Sequence, residues 1–298
     1  MVYFLILLLA VAGVTLLLFL PERWRRFRRR KLFEMPISSG YRQILERNLP
    51  AYRRMPPELR EQLHAHVNVL LGEKRFAGCA GQQITDEIRV TIAGHASLLL
   101  LNHPDPAYFP DFTSILVYPD TYVADEITYD GEVEIHERVA RAGESWHRGP
   151  VILSWRDIVH GISGTQDDGM NVILHEFAHK LDEQNGDTEG LPVLGDEADY
   201  DEWARVLGRE FAALEESVES GSDGLLDDYA LHSPAEFFAV ATEVFFEKSR
   251  EMKRMLPELY AQLGKYYRID PAAWPAVAHL AGDPAAIAHN ADSCRSQP

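Results

Sequence analysis

Two histidines and a glutamate stand at a spacing that suits metal-dependent hydrolysis. His175, Glu176 and His179 form the pattern His-Glu-x-x-His. Residues four apart on a helix lie on one face, so both imidazoles can reach a single Zn²⁺ ion. The intervening Glu176 sits beside that face, where its carboxylate can take a proton from a water molecule. The pattern therefore predicts a zinc site with Glu176 as the general base.

The flanks of this motif predict a buried helix. Apart from the motif's own polar groups, apolar side chains cover most of its surface: Val172, Ile173, Leu174, Phe177, Ala178 and Leu181. Burying two histidines without a partner is costly, and a metal ion is the simplest partner common to both. The alternative is a pair of ordinary core histidines held by hydrogen bonds. Asp182, with its short side chain, is better suited to orienting a histidine ring or anchoring the helix end than to binding metal.

A catalytic zinc site needs a third protein ligand and one open position. A second apolar helix is predicted from Ser233 onward, and it carries Glu236 and Glu243, which lie seven residues apart and share a face. Ser233 and Glu236 also form a capping box with Pro234 at the first helical position, which gives Glu236 a purely structural interpretation. Glu243 has the interpretation of a solvated helix position. Spacing alone leaves the choice between the two glutamates open.

Several separated stretches, spread between residues 40 and 270, resemble one known family. The chain resembles the Mlc titration factor A family of zinc peptidases, the glucose-regulated metallopeptidases, in the stretches ILVYP, AGESWHRGPVILSW, ILHEFAHKLDEQNGD and DYALHSPAEFFAVATEVFF. By that resemblance the core is zincin-like and similar to the catalytic domain of anthrax lethal factor. The resemblance also implies that Zn²⁺ is the cofactor.

The resemblance assigns further roles. It implies that Glu236 is the third metal ligand, that Glu243 supports the site, and that Tyr229 stabilises the oxyanion. It implies peptide or protein substrates, with aminopeptidase activity on short ones, and a transcriptional repressor of the Mlc type as a partner. An enzyme and a repressor-binding protein both remain open. The intact Glu176 favours the enzyme, because a binding protein needs no general base. A structural zinc site is disfavoured, because such sites usually use thiolates.

An α+β domain, zincin-like and mostly helical with a small sheet, is predicted to position these residues. Residues 58–73 have a helical pattern, and residues 112–118 and 151–155 have the pattern of buried strands. Residues 88–101 fit either a strand or a buried helix, and residues 120–150 suggest hairpins and loops. From Gly169 onward the pattern becomes helical, and this order of strands before helices favours α+β over a doubly wound fold.

The N-terminal segment predicts a membrane anchor. Residues 2–20 are uncharged and almost wholly apolar, long enough as a helix to span a hydrocarbon core of about 30 Å. Seven Lys and Arg follow between Arg23 and Lys31. A cleaved signal peptide, the alternative, would carry its charge before the apolar run. The asymmetry predicts a single-pass protein of the cell membrane whose catalytic domain faces the cytoplasm.

Charge and domain organisation complete the prediction. We expect an anchor with its basic flank over residues 1–35, a peptidase domain over 36–270, and a peripheral helix and tail over 271–298. The whole chain has a formal charge of −17, and residues 1–35 carry +5 of it, so the remainder carries −22. A body this acidic repels phosphate and disfavours direct nucleic-acid binding. The two cysteines exclude a disulfide scaffold and a cysteine-rich metal module.

Overall fold

Helices surround a small sheet in this protein. The computed structural model describes residues 3–4, 22–104, 106–130, 133–141, 143–145, 149–163, 169–222 and 224–275. The helices are α1 (residues 22–33), α2 (Ser39–Asn48), α3 (Pro50–Arg54), α4 (Pro57–Glu73), α5 (Asp86–Leu98), α6 (Trp155–Ile162), α7 (Val172–Asp182), α8 (Glu197–Glu219), α9 (Pro234–Glu247), α10 (Ser249–Met255) and α11 (Pro257–Tyr267). The strands are β1 (Arg75–Gly78), β2 (Ser114–Tyr118), β3 (Tyr122–Asp130), β4 (Val133–Arg141), β5 (Gly143–Ser145) and β6 (Val151–Ser154).

Three short parallel strands form the centre of the sheet. β2 lies between β1 and β6, and β5 joins β6 in the antiparallel direction, which gives the order β1-β2-β6-β5. Ile115 pairs with Phe76 on one side and with Val151 on the other. Large apolar and β-branched residues at these positions suit strands covered by helices. Strands β3 and β4 pair with each other as a separate antiparallel hairpin.

Helices α7 and α9 pack against each other in the core. Phe177 of α7 is 1% exposed, and its ring meets those of Phe109 and Phe112 edge to face, with centroids 4.9 and 5.7 Å away. Four phenylalanines of α9 are equally buried: Phe237, Phe238, Phe245 and Phe246. Each fully buried ring of this kind contributes about 2–3 kcal/mol relative to an exposed one. Apolar packing therefore fixes both helices, and their polar side chains share a low-dielectric interior.

The predicted α+β class, mostly helical with a small sheet, is confirmed. The predicted helix over residues 58–73 is α4, and residues 88–101 form most of α5 and the turn after it, so the helical alternative is right. The predicted strand over 112–118 contains β2, and the hairpin expected within 120–150 is β3–β4. Helices α2 to α5 precede most of the sheet, so the strands-before-helices order holds only in part.

The predicted strand over 151–155 ends one residue early. The Ser154 side chain accepts a hydrogen bond from the backbone N–H of Asp157 and caps helix α6, so Trp155 begins a helix instead of ending a strand. Near the C-terminus, Pro271–Ala273 forms a short 3-10 turn. Residues 276–298, most of the predicted peripheral helix and tail, lie outside the described residues.

The prediction of a single-pass membrane protein is wrong. In the part of the chain that the structure describes, no helix combines the length and the apolar character needed to cross a bilayer. Of the predicted span 2–20, Tyr3 and Phe4 are described and the rest lies outside the described residues. This finding overturns the membrane localisation inferred from the apolar run and its basic flank.

The basic segment that follows is docked on the folded body. Arg29 of α1 makes a bidentate ion pair with Glu73 at the end of α4. Its Nε lies 2.7 Å from Glu73 Oε1, and its Nη2 lies 2.8 Å from Glu73 Oε2. Its guanidinium also lies over the ring of Tyr108, 4.8 Å from the centroid. Both side chains of the ion pair are mostly buried, which makes the contact stronger than an exposed pair. Helix α1 is thereby tied to α4.

Candidate metal centre

Helix α7 presents two imidazoles from one face. The Asn171 side chain caps the helix by accepting a hydrogen bond from the backbone N–H of Leu174. The apolar residues that follow bury most of the helix, and His175 and His179 lie one turn apart on its remaining polar face. Their rings meet at right angles with centroids 4.8 Å apart, and the two Nε2 atoms are 3.2 Å apart.

Helix α9 brings a carboxylate to the same point. The Ser233 side chain accepts a hydrogen bond from the backbone N–H of Glu236, so the serine half of the predicted capping box is present. The Glu236 carboxylate turns to the histidines: its Oε2 lies 2.9 Å from His175 Nε2 and 3.5 Å from His179 Nε2. Capping by Ser233 and a ligand role for Glu236 are therefore compatible, because the cap uses the backbone of Glu236 and leaves its side chain available.

The three converging atoms fit a tetrahedral metal ion. Ligand atoms about 2.0–2.1 Å from a tetrahedral zinc lie roughly 3.3 Å from one another. The observed separations among the two Nε2 atoms and Oε2 are 2.9, 3.2 and 3.5 Å. Oε2 of Glu236 is buried and has no hydrogen bond of acceptable geometry within the described structure. Two imidazole nitrogens and one carboxylate oxygen are a donor set that zinc prefers, so the residues present fit the ion.

Carboxylates control the protonation of this cluster. Burial lowers the pKa of His175, but the carboxylates of Glu236 and Glu243 outweigh it and hold the pKa well above its usual value. Burial raises the pKa of Glu236, and the two histidines more than reverse that effect, so this carboxyl stays ionised. The acceptor atoms therefore require a shared cation, either a proton on an imidazole or a metal ion.

Glu243 lies behind His175 and fixes its orientation. Oε1 of Glu243 is 2.8 Å from His175 Nδ1, and its Oε2 accepts a hydrogen bond from the backbone N–H of Asn171. A histidine that donates its Nδ1–H to a carboxylate presents the lone pair of Nε2 forward, which is the tautomer a metal needs. Glu247, one turn on, accepts a hydrogen bond from the Asn171 side chain at 2.6 Å. Two glutamates of α9 thus hold the first turn of α7.

Glu176 is buried, and it lies between the candidate ligands His175 and His179 in the sequence. It is 4% exposed, and its Oε2 has no hydrogen-bond partner within the described residues. Burial raises the pKa of Glu176 to about 7, although His175 and His179 pull it down. A carboxyl with a pKa near neutrality can both accept and return a proton at physiological pH. This environment suits the general base that the sequence predicts.

Tyr229 lies at the open side of the cluster. It belongs to a 3-10 turn, Asp228–His232, that leads directly into Ser233 and α9. Its ring centroid is 6.0 Å from that of His175, and 45% of the residue is exposed. His232 packs beside it, with ring centroids 4.6 Å apart. The structure therefore places Tyr229 next to the predicted ligands, on a side that solvent reaches.

Asp182 anchors the loop after α7. It is fully buried and accepts hydrogen bonds from the backbone N–H groups of Gly190 and Leu191 at 2.8 and 2.7 Å. Gly190 has a φ of +71°, and a Cβ there would lie 2.2 Å from the carbonyl oxygen of Pro234. Only glycine fits this close approach. The loop therefore ties the end of α7, which carries His179, to the start of α9, which carries Glu236.

Comparison with known proteins agrees with this geometry. The family model described as glucose-regulated metallo-peptidase M90 matches residues 22–268. The chain belongs to this family. Membership in the M90 family indicates a metallopeptidase and implies a metal, for which the His175, His179 and Glu236 cluster is the candidate site. The match begins within the basic segment, in agreement with the docking of α1 on α4.

Relatives of this M90 protein cover most of its length. It is 38% identical to an uncharacterized protein of Synechocystis sp. over 268 residues, 89% of this chain and 97% of the relative. It is 32% identical to Mlc titration factor A of Pectobacterium atrosepticum over 230 residues, 76% of this chain and 85% of the relative. It is 29% identical to Mlc titration factor A of Yersinia enterocolitica over 232 residues, 76% and 84% of the two chains. The family resemblance seen in the sequence is confirmed.

Sequence reasoning missed the residues that support the M90 site from behind. Asn171 caps α7, and its side chain accepts a hydrogen bond from the backbone N–H of Leu174. The signal was present, because an Asn three residues before Leu174 and directly before an apolar run is a preferred N-cap. Glu247 gave no such signal, because its partner is distant in sequence and an exposed helix end is its ordinary interpretation.

Proposed function

We propose that this protein is a zinc-dependent peptidase of the His-Glu-x-x-His plus Glu type. The observation that carries the proposal is the convergence of His175 Nε2, His179 Nε2 and Glu236 Oε2 at 2.9 to 3.5 Å, beside a buried glutamate. The zincin-like arrangement of the core is part of the proposal. Membership in a metallopeptidase family supports it.

The ligand residues have defined tasks. His175, His179 and Glu236 would hold a zinc ion, and Glu243 would keep His175 in the tautomer that binds it. When bound, zinc supplies Lewis-acid chemistry, which acidifies a water molecule and polarises a carbonyl group. Three protein ligands leave a tetrahedral centre one open position for these groups.

Glu176 moves the proton. Its carboxylate accepts a proton from the water that attacks the peptide carbonyl, and then returns it to the leaving amine nitrogen. The raised pKa of about 7, caused by burial, matches a group that must both take and give a proton. Glu176 is also 4% exposed, so solvent does not compete strongly for its carboxyl.

Tyr229 stabilises the charge that develops on the substrate. Its hydroxyl donates a hydrogen bond to the oxyanion of the tetrahedral intermediate. The position of its ring, 6.0 Å from that of His175 and partly exposed, supports this role because a substrate must enter from the solvent side. Loss of a single oxyanion donor typically lowers kcat by about 100- to 1000-fold.

The bond type follows from the resemblance and needs its own test. An aminopeptidase requires the free amino group of its substrate, whereas an endopeptidase does not. We expect short peptides with a free N-terminus to be cleaved, and the same peptides to resist cleavage once N-acetylated. Equal cleavage of both forms would replace the aminopeptidase with an endopeptidase and leave the metal mechanism intact.

Substitution of the base tests the enzyme proposal. Glu176→Gln keeps the size of the side chain and all three metal ligands, so zinc content should remain while kcat falls by about 1000-fold or more. Glu216→Gln, an exposed glutamate on α8, is the control and should leave both values unchanged. Normal hydrolysis by Glu176→Gln would overturn the mechanism.

Capture of a transcriptional repressor is the second candidate. Several relatives carry the name Mlc titration factor A, and this chain is 32% and 29% identical to the two described above. Binding alone needs no base, so the Glu176→Gln variant separates the two functions. If binding is the function, that variant should capture an Mlc-type repressor as well as the unsubstituted protein does, in a pull-down with both purified. A repressor that neither protein retains would remove this candidate.

A further inference from the structure

One cavity of the described structure is lined by residues outside the candidate metal centre. It has a volume of about 400 Å³ and opens between α8, the end of α11 and residues 193–195. None of the predicted metal ligands or catalytic residues lines it. Cavities of 300–1000 Å³ are the size that accommodates small molecules.

Two polar side chains reach this cavity without a protein partner. Gln262 is 6% exposed and Tyr266 is largely covered, and they lie one turn apart on α11. Within the described residues, neither the Gln262 amide nor the Tyr266 hydroxyl makes a hydrogen bond. Both residues line the cavity, so their polar groups are available to a ligand that enters it.

An aromatic surface lines the same cavity. Trp203 of α8 is 3% exposed, and its ring lies 5.5 Å from that of Tyr266 at a steep angle. The indole N–H of Trp203 donates to the carbonyl of Gly190 at 2.9 Å, so its polar atom is already satisfied. Trp203 thus contributes a mostly covered apolar wall to the cavity, beside the ring of Tyr266, and such a wall suits an apolar ligand body.

The cavity is lined by one acidic residue, Asp199, and by two basic residues, Lys265 and Arg268. Lys265 is engaged by Asp199 in a close contact and by Glu202 at 3.6 Å. Arg268, by contrast, has no carboxylate partner among the described residues. It also holds a φ of +58°, a left-handed conformation that is strained for a residue with a Cβ, at the end of α11 where glycine is usual.

We propose that this cavity binds a small organic carboxylate with a flat apolar body. The carboxylate pairs with Arg268, whose planar guanidinium suits two-pronged recognition. The body packs on Trp203 and Tyr266, and polar groups on the ligand satisfy the Gln262 amide. The volume limits the ligand to a small molecule, because a longer peptide does not fit in about 400 Å³.

The cavity is linked to the metal centre through one loop. Trp203 holds the carbonyl of Gly190, and the N–H of Gly190 is held by Asp182 at the end of α7. A ligand that shifts the Trp203 ring therefore also shifts the loop between the two ligand helices. The amide of Gly190 is a reporter for this link, and it needs no peptidase activity.

Nuclear magnetic resonance of the full chain, with benzoate as the probe, tests the proposal. Benzoate should shift the Trp203 indole N–H signal and the Gly190 amide signal, and leave the Trp155 and Trp274 indole signals in place. Benzamide has the same shape without the charge and should bind at least about tenfold more weakly. The Trp203→Phe variant assigns the indole signal.

Two variants make the result specific to the cavity. Arg268→Asn removes the charge but keeps a residue that tolerates the left-handed conformation, and it should weaken benzoate by about tenfold or more. Gln262→Met keeps the length of the side chain without its amide and should weaken benzoate by a smaller factor. No shift at Trp203, equal binding of benzamide, or unchanged binding by Arg268→Asn would each overturn the proposal.

Discussion

Buried histidines occur in two regions of this protein, and their partners differ. His66 of α4 contacts the Tyr108 hydroxyl at 2.8 Å, and His95 of α5 contacts the Thr91 carbonyl at 2.9 Å. His175 and His179 of α7 instead face Glu236, with Glu243 behind His175. Both regions are apolar, but among the described residues no carboxylate contacts His66 or His95, whereas carboxylates contact both His175 and His179.

The pKa of each buried histidine depends on which groups contact its ring. Burial lowers the pKa of His66 and His95 to about 4, so these rings are neutral. Burial acts in the same direction on His175, but two carboxylates reverse it and raise the pKa well above the usual value. A buried histidine is therefore no evidence of a site by itself. A buried pair of histidines with a converging carboxylate is such evidence, because the imidazole nitrogens and the carboxylate oxygen together need a cation.

The largest expected difference between the two regions is in metal content. His175→Ala and His179→Ala should each reduce bound zinc from about one per chain to a small fraction, with loss of peptidase activity. His66→Gln and His95→Gln should keep the metal and lose roughly 1–3 kcal/mol of stability, because each leaves a buried partner poorly satisfied. Metal analysis with circular dichroism on all four variants measures this. Loss of zinc from the α4 or α5 variants in a folded protein would contradict the comparison.

The next difference separates the two glutamates of α9. Glu236→Ala removes a ligand and should weaken zinc binding by several orders of magnitude. Glu243→Ala removes the group that orients His175 and should weaken zinc binding by about 10–100-fold. Competition with a chelator of known affinity, in protein whose folding is checked by circular dichroism, gives both values. The reverse order would make Glu243 the ligand and Glu236 the supporting residue.

A smaller effect than these changes in zinc binding is expected in the stability that bound zinc gives to the folded protein. An ion bound only by the folded state stabilises it by about 4 kcal/mol when free zinc is 1000 times the dissociation constant. Zinc should therefore raise the unfolding temperature of the unsubstituted protein and of His95→Gln, while His175→Ala should not respond. A response of His175→Ala equal to that of the unsubstituted protein would place the stabilising ion elsewhere.

The smallest expected effect is on how the free energy of unfolding changes as the pH falls. His66 and His95 have pKa values of about 4 in the folded protein, below the value of about 6.5 expected when unfolded. The unfolded chain therefore binds their protons more tightly, so their contribution to stability is complete above pH 6.5 and is lost as the pH falls toward 4. Each contributes up to about 3 kcal/mol to this loss. His95→Gln should flatten the decline in unfolding free energy between pH 6.5 and 4, and an unchanged slope would contradict a neutral, buried His95.

These contrasts show what the sequence could predict. The His-Glu-x-x-His motif predicts its own helix, because spacing of four residues is a local property, and the apolar run around it predicts burial. The choice between Glu236 and Glu243 is not local, since it depends on how α9 packs on α7. The fold class follows from composition and pattern, whereas the parallel pairing of β1, β2 and β6 depends on contacts between distant segments.

The cavity beside Trp203 and the predicted anchor show the limits of local reasoning. Trp203 of α8 is far in sequence from Gln262 of α11 and Arg268 at its end, so only the folded chain brings the three together. The basic residues after the apolar run suggested a flank beside a membrane, yet Arg29 pairs with Glu73 on α4. Long-range ion pairs of this kind cannot be read from a run of charges.

X-ray absorption at the zinc edge, on protein loaded with one equivalent of zinc, tests the central claim most directly. We predict one ion per chain, bound by two imidazole nitrogens and oxygen donors at about 2.0–2.1 Å. The imidazole signal should decrease in His179→Ala and persist in His95→Gln. A shell that contains sulfur, a single imidazole, or the same spectrum in His179→Ala would contradict a centre built from His175, His179 and Glu236.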